Sequence, residues 1–157
     1  MGRNKINKSF PWVKPVEKKI QGGRLERENR YNSTRWRTVS RLYLMENPLC
    51  EVSKSEGVIR AANVTDHRHP VRFGGDFWKE ENFQALSHEI HNKKSGFESQ
   101  LMGLMMNLEL EQKCSAYLYV ESRAIESEGK QMFLIDFEIV KNFFQEWRSR
   151  RGYGVKS

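Results

Sequence analysis

NVTDHRHPVRFGGDFWKEENFQALSHEIHNKKS, residues 63 to 95, decides how the rest of the chain is read. All four histidines of the chain, His67, His69, His88 and His91, fall inside it, and Asp66 sits directly beside the first. Neutral imidazole is both a common metal ligand and a base near neutral pH. Histidines gathered beside a carboxylate therefore point to a centre that binds a metal and moves protons. The local pattern predicts how these groups meet. Val58 to Asp66 is rich in small and β-branched residues and reads as a strand, halted near Pro70, and Gly74-Gly75-Asp76 is a turn signal. Phe83 to Leu86 reads as a short returning strand. Ser87 is placed as a helix N-cap with Glu89 in the first turn, which puts His91 on that turn. Strand, loop, strand and helix of this length fold back so that His91 faces Asp66 and His67.

Working outward, further residues fall into order around this stretch. Asn82 lies in the loop before N-F-Q-A-L, and His91 opens H-N-K-K. Upstream stand Tyr31-Asn32-Ser33-Thr34-Arg35-Trp36-Arg37 and Asn47-Pro48-Leu49-Cys50-Glu51. Over roughly residues 31 to 95 the chain resembles the HNH endonucleases of the His-Me finger, or ββα-metal, class. Their pattern is a D-H at a strand end, an Asn in the loop and a last His in H-N-x-K. The resemblance implies an α+β fold: a ββα-metal core with a short β-hairpin, flanked by additional α-helices. It also implies roles. His67 would be the general base that takes a proton from water attacking a DNA phosphorus, and Asp66 and His91 would hold one divalent metal. Asn82, counted with His67 in the catalytic set, would brace the loop and orient His67. The mixed donor set accepts Mg²⁺, Mn²⁺, Ni²⁺ or Zn²⁺.

The chain departs from that family at one place. Many members of this branch carry two C-x-x-C pairs that clamp a structural zinc. The matching positions here are Cys50, Ser53, Ser87 and Ile90, so three of the four thiolates are missing. A structural zinc held by four cysteines is not expected. Apolar packing by Leu49, Leu86 and Ile90 is expected in its place.

The flanks set the organisation. At 157 residues the chain has room for one domain with extensions: a basic arm over 1–30, a nuclease core over 31–99 and a helical extension over 100–157. The arm, broken by prolines and Gly22-Gly23, reads as loosely ordered chain lying along phosphates, or as a solvated tail. Phe10 and Trp12 suggest that part of it docks on the body. Residues 33–46 read as a helix with Trp36, Val39, Leu42 and Tyr43 in one apolar stripe, closed by Pro48. Its Arg35, Arg37 and Arg41, with Lys93 and Lys94 after His91, are candidate nucleic-acid contacts. His69 and His88 read as partly exposed rather than as further ligands. From Phe97 an apolar periodicity through Leu101, Leu104, Met105, Leu108 and Cys114 predicts a helix, continuous with the site helix or broken near Gly103. Met132 to Arg151 predicts a last one, with Phe133, Phe137, Val140, Phe144 and Trp147 buried.

A net charge of +7 calls for an anionic partner, DNA under the resemblance, with RNA also compatible. The two cysteines give no disulfide framework and fit a reducing cytoplasm, which the resemblance to phage and mobile-element nucleases implies is that of a bacterial host. No stretch has the length and apolarity of a membrane span. By analogy with phage and mobile-element members, packaging terminase proteins are candidate partners, and cutting both strands would call for a homodimer or two encounters. The alternative is a non-catalytic DNA-binding or assembly protein on the same scaffold.

Overall fold

The structure, a computed structural model, describes residues 29–152. The chain divides into two compact units, Met1–Arg37 and Thr38–Ser157. In the first, Ser33 caps the helix that begins at Thr34, its hydroxyl accepting from the Trp36 amide at 3.1 Å. Tyr31 meets the buried Trp36 edge-on at 5.6 Å. Phe10, Trp12 and all of the basic arm but residues 29 and 30 lie outside the described residues.

Helix α1 spans Thr34–Glu46 and α2 Glu51–Ser55. Strands β1 (Val64–His67) and β2 (Phe83–Leu86) follow, then α3 (His88–Leu104), α4 (Leu110–Glu128) and α5 (Phe137–Arg150). The fold is α+β: helices around a two-stranded antiparallel sheet. Its register pairs Val64 with Leu86, Thr65 with Ala85, Asp66 with Gln84 and His67 with Phe83. Ser87 caps α3 as expected, its hydroxyl accepting from the Ile90 amide. Asp136 caps α5 in the same way by accepting from Glu138.

One apolar core runs through α2, β2 and the last three helices. Cys50, Val52, Phe73, Leu86 and Ile90 meet Leu101 and Met105 of α3 and its end, Tyr117 and Val120 of α4, and Val140, Phe144 and Trp147 of α5. Phe144 and Trp147 stack at 5.8 Å.

Three expectations are corrected. The strand read over Val58–Asp66 is Val64–His67. Its partner has four residues because Ser87 already begins α3, so the chain before Val64 finds no ladder beyond a lone Leu49–Ala61 bridge. The last helix does not start at Met132: a 3₁₀ turn over Met132–Leu134 buries Met132 and Phe133, and Asp136 then opens α5. Leu42, read as part of a buried stripe, is 50% exposed.

Candidate active site

Successive strand residues point to opposite faces, so β1 sends Asp66 and His67 apart. Asp66 turns toward α3. Its Oδ2 accepts from Gln84 Nε2 at 3.0 Å and from Lys94 Nζ at 2.8 Å, while Oδ1 faces His91 Nε2 at 3.8 Å. The Gln84 contact follows from the register, which sets it opposite Asp66. His91 and Lys94 share a helix face by their spacing.

His67 lies in an aromatic setting, its ring 5.0 Å from Phe77 and 5.5 Å from Phe83. Its Nε2 stands 2.9 Å from the Phe77 carbonyl. A carbonyl only accepts, so Nε2 carries the proton and the neutral ring keeps its lone pair on Nδ1. The residue is 2% exposed. Burial holds its pKa below the ordinary histidine value, against the Phe77 carbonyl and the Asp66 charge, which favour the imidazolium.

The loop between the strands is tied at both ends of its path. Asn82 Oδ1 accepts from the His69 amide at 2.8 Å, and its Nδ2 donates to the carbonyls of His69 and Asp76, each at 2.9 Å. At about 1 kcal/mol for a typical bond, this one side chain secures much of the loop. Gly75 is required by a close approach: a Cβ there would stand 1.9 Å from the His69 carbonyl oxygen. His69 is a structural histidine, stacked on Tyr117 at 4.6 Å with Nε2 on the Phe73 carbonyl at 2.8 Å. The Tyr117 hydroxyl donates to the Arg68 carbonyl at 3.1 Å. Helix α4 therefore grips the same loop. His88 is exposed at the start of α3.

Lys94 is the main surprise. Expected at the surface on a phosphate, it is 3% exposed. Besides Asp66, its ammonium donates to the His67 carbonyl at 2.9 Å and pairs with Glu98, which Arg72 reaches at 3.2 Å. Desolvation makes an unpaired buried ammonium prohibitive, and these carboxylates are what admit it. Glu121 of α4 lies within reach of the same charge: burial raises its pKa and Lys94 opposes the rise. The other candidate contacts, Arg35, Arg37, Arg41 and Lys93, are exposed, with the Arg37 guanidinium on the Asn32 carbonyl at 2.7 Å.

Among Cys50, Ser53, Ser87 and Ile90, Cys50 is fully buried. Burial pushes its thiol up, but hydrogen bonds from Ser53 and Ser87 bring it below the ordinary value. Leu86 and Ile90 are buried beside it as expected, while Leu49 is half-buried.

Sequence reading missed Gln84, the internal role of Lys94, and Tyr117. Two signals were present. His91, Lys94 and Glu98 follow helical spacing, and Gln84 lies two residues past Asn82 on the returning strand. Among the described residues no group of three or more His, Cys, Asp or Glu is placed to hold a metal. No described helix is long and apolar enough to cross a membrane. No protein-family model matches the chain, and no curated protein matches it. Among solved structures, the chain is similar to the HNH endonuclease of the deep-sea thermophilic bacteriophage GVE2, solved with a manganese ion. Identity is 26%, coverage is 48% of this chain and 85% of that one, and the TM-score is 0.42.

Proposed function

We propose that this chain is a metal-dependent endonuclease of the HNH type that hydrolyses phosphodiester bonds in DNA, with β1, β2 and α3 as a ββα-metal core. The observation that carries the reading is the facing pair of Asp66 Oδ1 and His91 Nε2, 3.8 Å apart, adjacent in sequence to a histidine whose Nε2 rests on a carbonyl. The donor set fits a divalent ion. A carboxylate oxygen and an imidazole nitrogen suit Mg²⁺, Mn²⁺, Ni²⁺ or Zn²⁺, and two protein ligands leave positions for water and phosphate. Beside Asp66, the Oε1 of Gln84 is buried and has no hydrogen-bond partner among the described residues, a further acceptor for a water.

A divalent ion held by Asp66 and His91 would supply neutralisation of the charge that develops as the phosphodiester is cleaved. His67 Nδ1 takes the proton from the attacking water as the new P–O bond forms and the P–O3′ bond breaks. The resulting imidazolium is stabilised by the Phe77 carbonyl and by the charge of Asp66. Asn82 holds the loop that carries the Phe77 carbonyl. Arg35, Arg37, Arg41 and Lys93 are the proposed contacts to the DNA backbone. A net charge of +7 adds a salt-dependent attraction.

One observation favours the second reading, a non-catalytic DNA-binding protein: His67 is 2% exposed, so a phosphate reaches it only after its cover moves aside. Supercoiled plasmid separates the two. Under the nuclease reading, the protein nicks or linearises it in at least one of Mg²⁺, Mn²⁺, Ni²⁺ and Zn²⁺, and EDTA stops the reaction. Plasmid bound but intact in all four metals would favour the second reading.

A further inference from the structure

We propose that Lys94 is a positioning residue: its ammonium locks the Asp66 carboxylate and the His67 backbone into one arrangement, leaving Asp66 Oδ1 to face His91. The inference rests on the nuclease reading above. An ammonium has three N–H donors, and Lys94 directs Nζ at three acceptors: Asp66 Oδ2, the His67 carbonyl oxygen and Glu98 Oε1. Its donors are thus committed inside the protein, and none is left for a DNA phosphate. The anchor is itself anchored, because Arg72 holds the other Glu98 oxygen at 3.2 Å. Gln84 joins Lys94 on Oδ2, so rotation of the Asp66 carboxylate would break hydrogen bonds to two buried partners. Helix α3 carries all three parts on one face: the proposed ligand His91, the anchor Lys94 and its counter-charge Glu98. The ligand, the base and the helix are fixed together through one nitrogen.

A cation placed on a metal-ligating carboxylate has a second effect. It repels the divalent ion, so rigid placement of Asp66 comes with weaker metal binding. The two effects separate in the Lys94→Met variant. Removing the charge tightens Mn²⁺ binding, while loss of the lock lowers turnover. A change that merely loosened the fold would weaken both, and a lysine on the DNA would alter DNA affinity instead.

The test is calorimetric titration of the full chain with Mn²⁺ alone, beside single-turnover cleavage of plasmid DNA and a DNA-binding titration. For Lys94→Met the expected result is Mn²⁺ affinity raised by roughly threefold or more and a cleavage rate lowered by about tenfold or more. Should that variant fail to fold, Lys94→Met/Glu98→Leu carries the same test, since apolar residues commonly replace a buried ion pair without loss of stability. A folded variant that cleaves at the wild-type rate would overturn the proposal. So would Mn²⁺ affinity and rate falling together, or weakened DNA binding with the rate intact. These failures leave the nuclease reading standing if wild type binds Mn²⁺ and cuts. A wild-type protein that takes up no Mn²⁺ removes the premise and the proposal with it.

Discussion

His67 is held in a neutral, oriented form by opposing influences. Burial disfavours its charged state, while the Phe77 carbonyl and Asp66 favour it, and burial prevails. The pH dependence follows in sign. As base the ring must be neutral, so kcat/KM falls as pH drops through the folded-state pKa and is insensitive to His67 above it. That pKa lies below the ordinary value of about 6.5. The acid limb of kcat/KM should therefore have its midpoint below about 6.5; a midpoint above it would contradict the assigned environment. At this scale the proposed site residues Asp66, His67, Asn82 and His91 stood out in the sequence because carboxylate, imidazole and amide types carry their chemistry in their names. Lys94 was not. A lysine next to another lysine reads as a solvated charge, and only folding brings Asp66, Glu98 and the His67 carbonyl around it.

Elements place these side chains through short, well-punctuated pieces. Ser87 ends β2 and caps α3 at once, which fixes His91 one turn into the helix, and that join was legible because serine capping is local chemistry. The length of β1 was not legible, because a strand is only as long as its partner permits. The Cys50 cluster belongs to this scale as well. Ser53 and Ser87 act on the buried Cys50 thiol, and Ile90 lies in the same apolar cluster as Cys50, so these four positions are neighbours. Replacing Ser53→Cys, Ser87→Cys and Ile90→Cys in one chain should create a tetrahedral thiolate site. The variant is expected to retain one equivalent of zinc through purification and to melt at higher temperature with zinc than after chelation. A triple variant that folds but holds no zinc would show that these positions do not converge on a point.

One core runs through α2, β2 and the last three helices, with Leu86 and Ile90 beside the site and Val120, Phe144 and Trp147 from the last two helices in the same cluster. Tyr117 also reaches the site loop directly through His69 and the Arg68 carbonyl. Truncating a single large core side chain typically costs about 3–5 kcal/mol, against a total stability of roughly 5–15 kcal/mol for a domain. A chain ended at Ser99 loses many such side chains at once and should show no cooperative unfolding transition. A sharp thermal transition in that fragment would show that the proposed nuclease core folds without the extension. Apolar spacing showed the last helix, but Tyr117–Val120 was open between helix and strand until the fold placed it in α4, and its grip on the site loop was not legible because the loop, β2, all of α3 and a turn separate His69 from the start of α4. The positive charge of the chain acts at this scale too, as attraction toward a polyanion rather than as a determinant of fold.

The central claim is that His67 removes the proton from the attacking water. It is tested most directly by comparing wild type with His67→Ala on supercoiled plasmid in Mn²⁺, with DNA binding measured alongside. Loss of a general base typically costs about 10²- to 10⁴-fold in rate. A loss of that order, with DNA affinity retained, is the predicted result. Cleavage by a folded His67→Ala protein at the wild-type rate would contradict the claim.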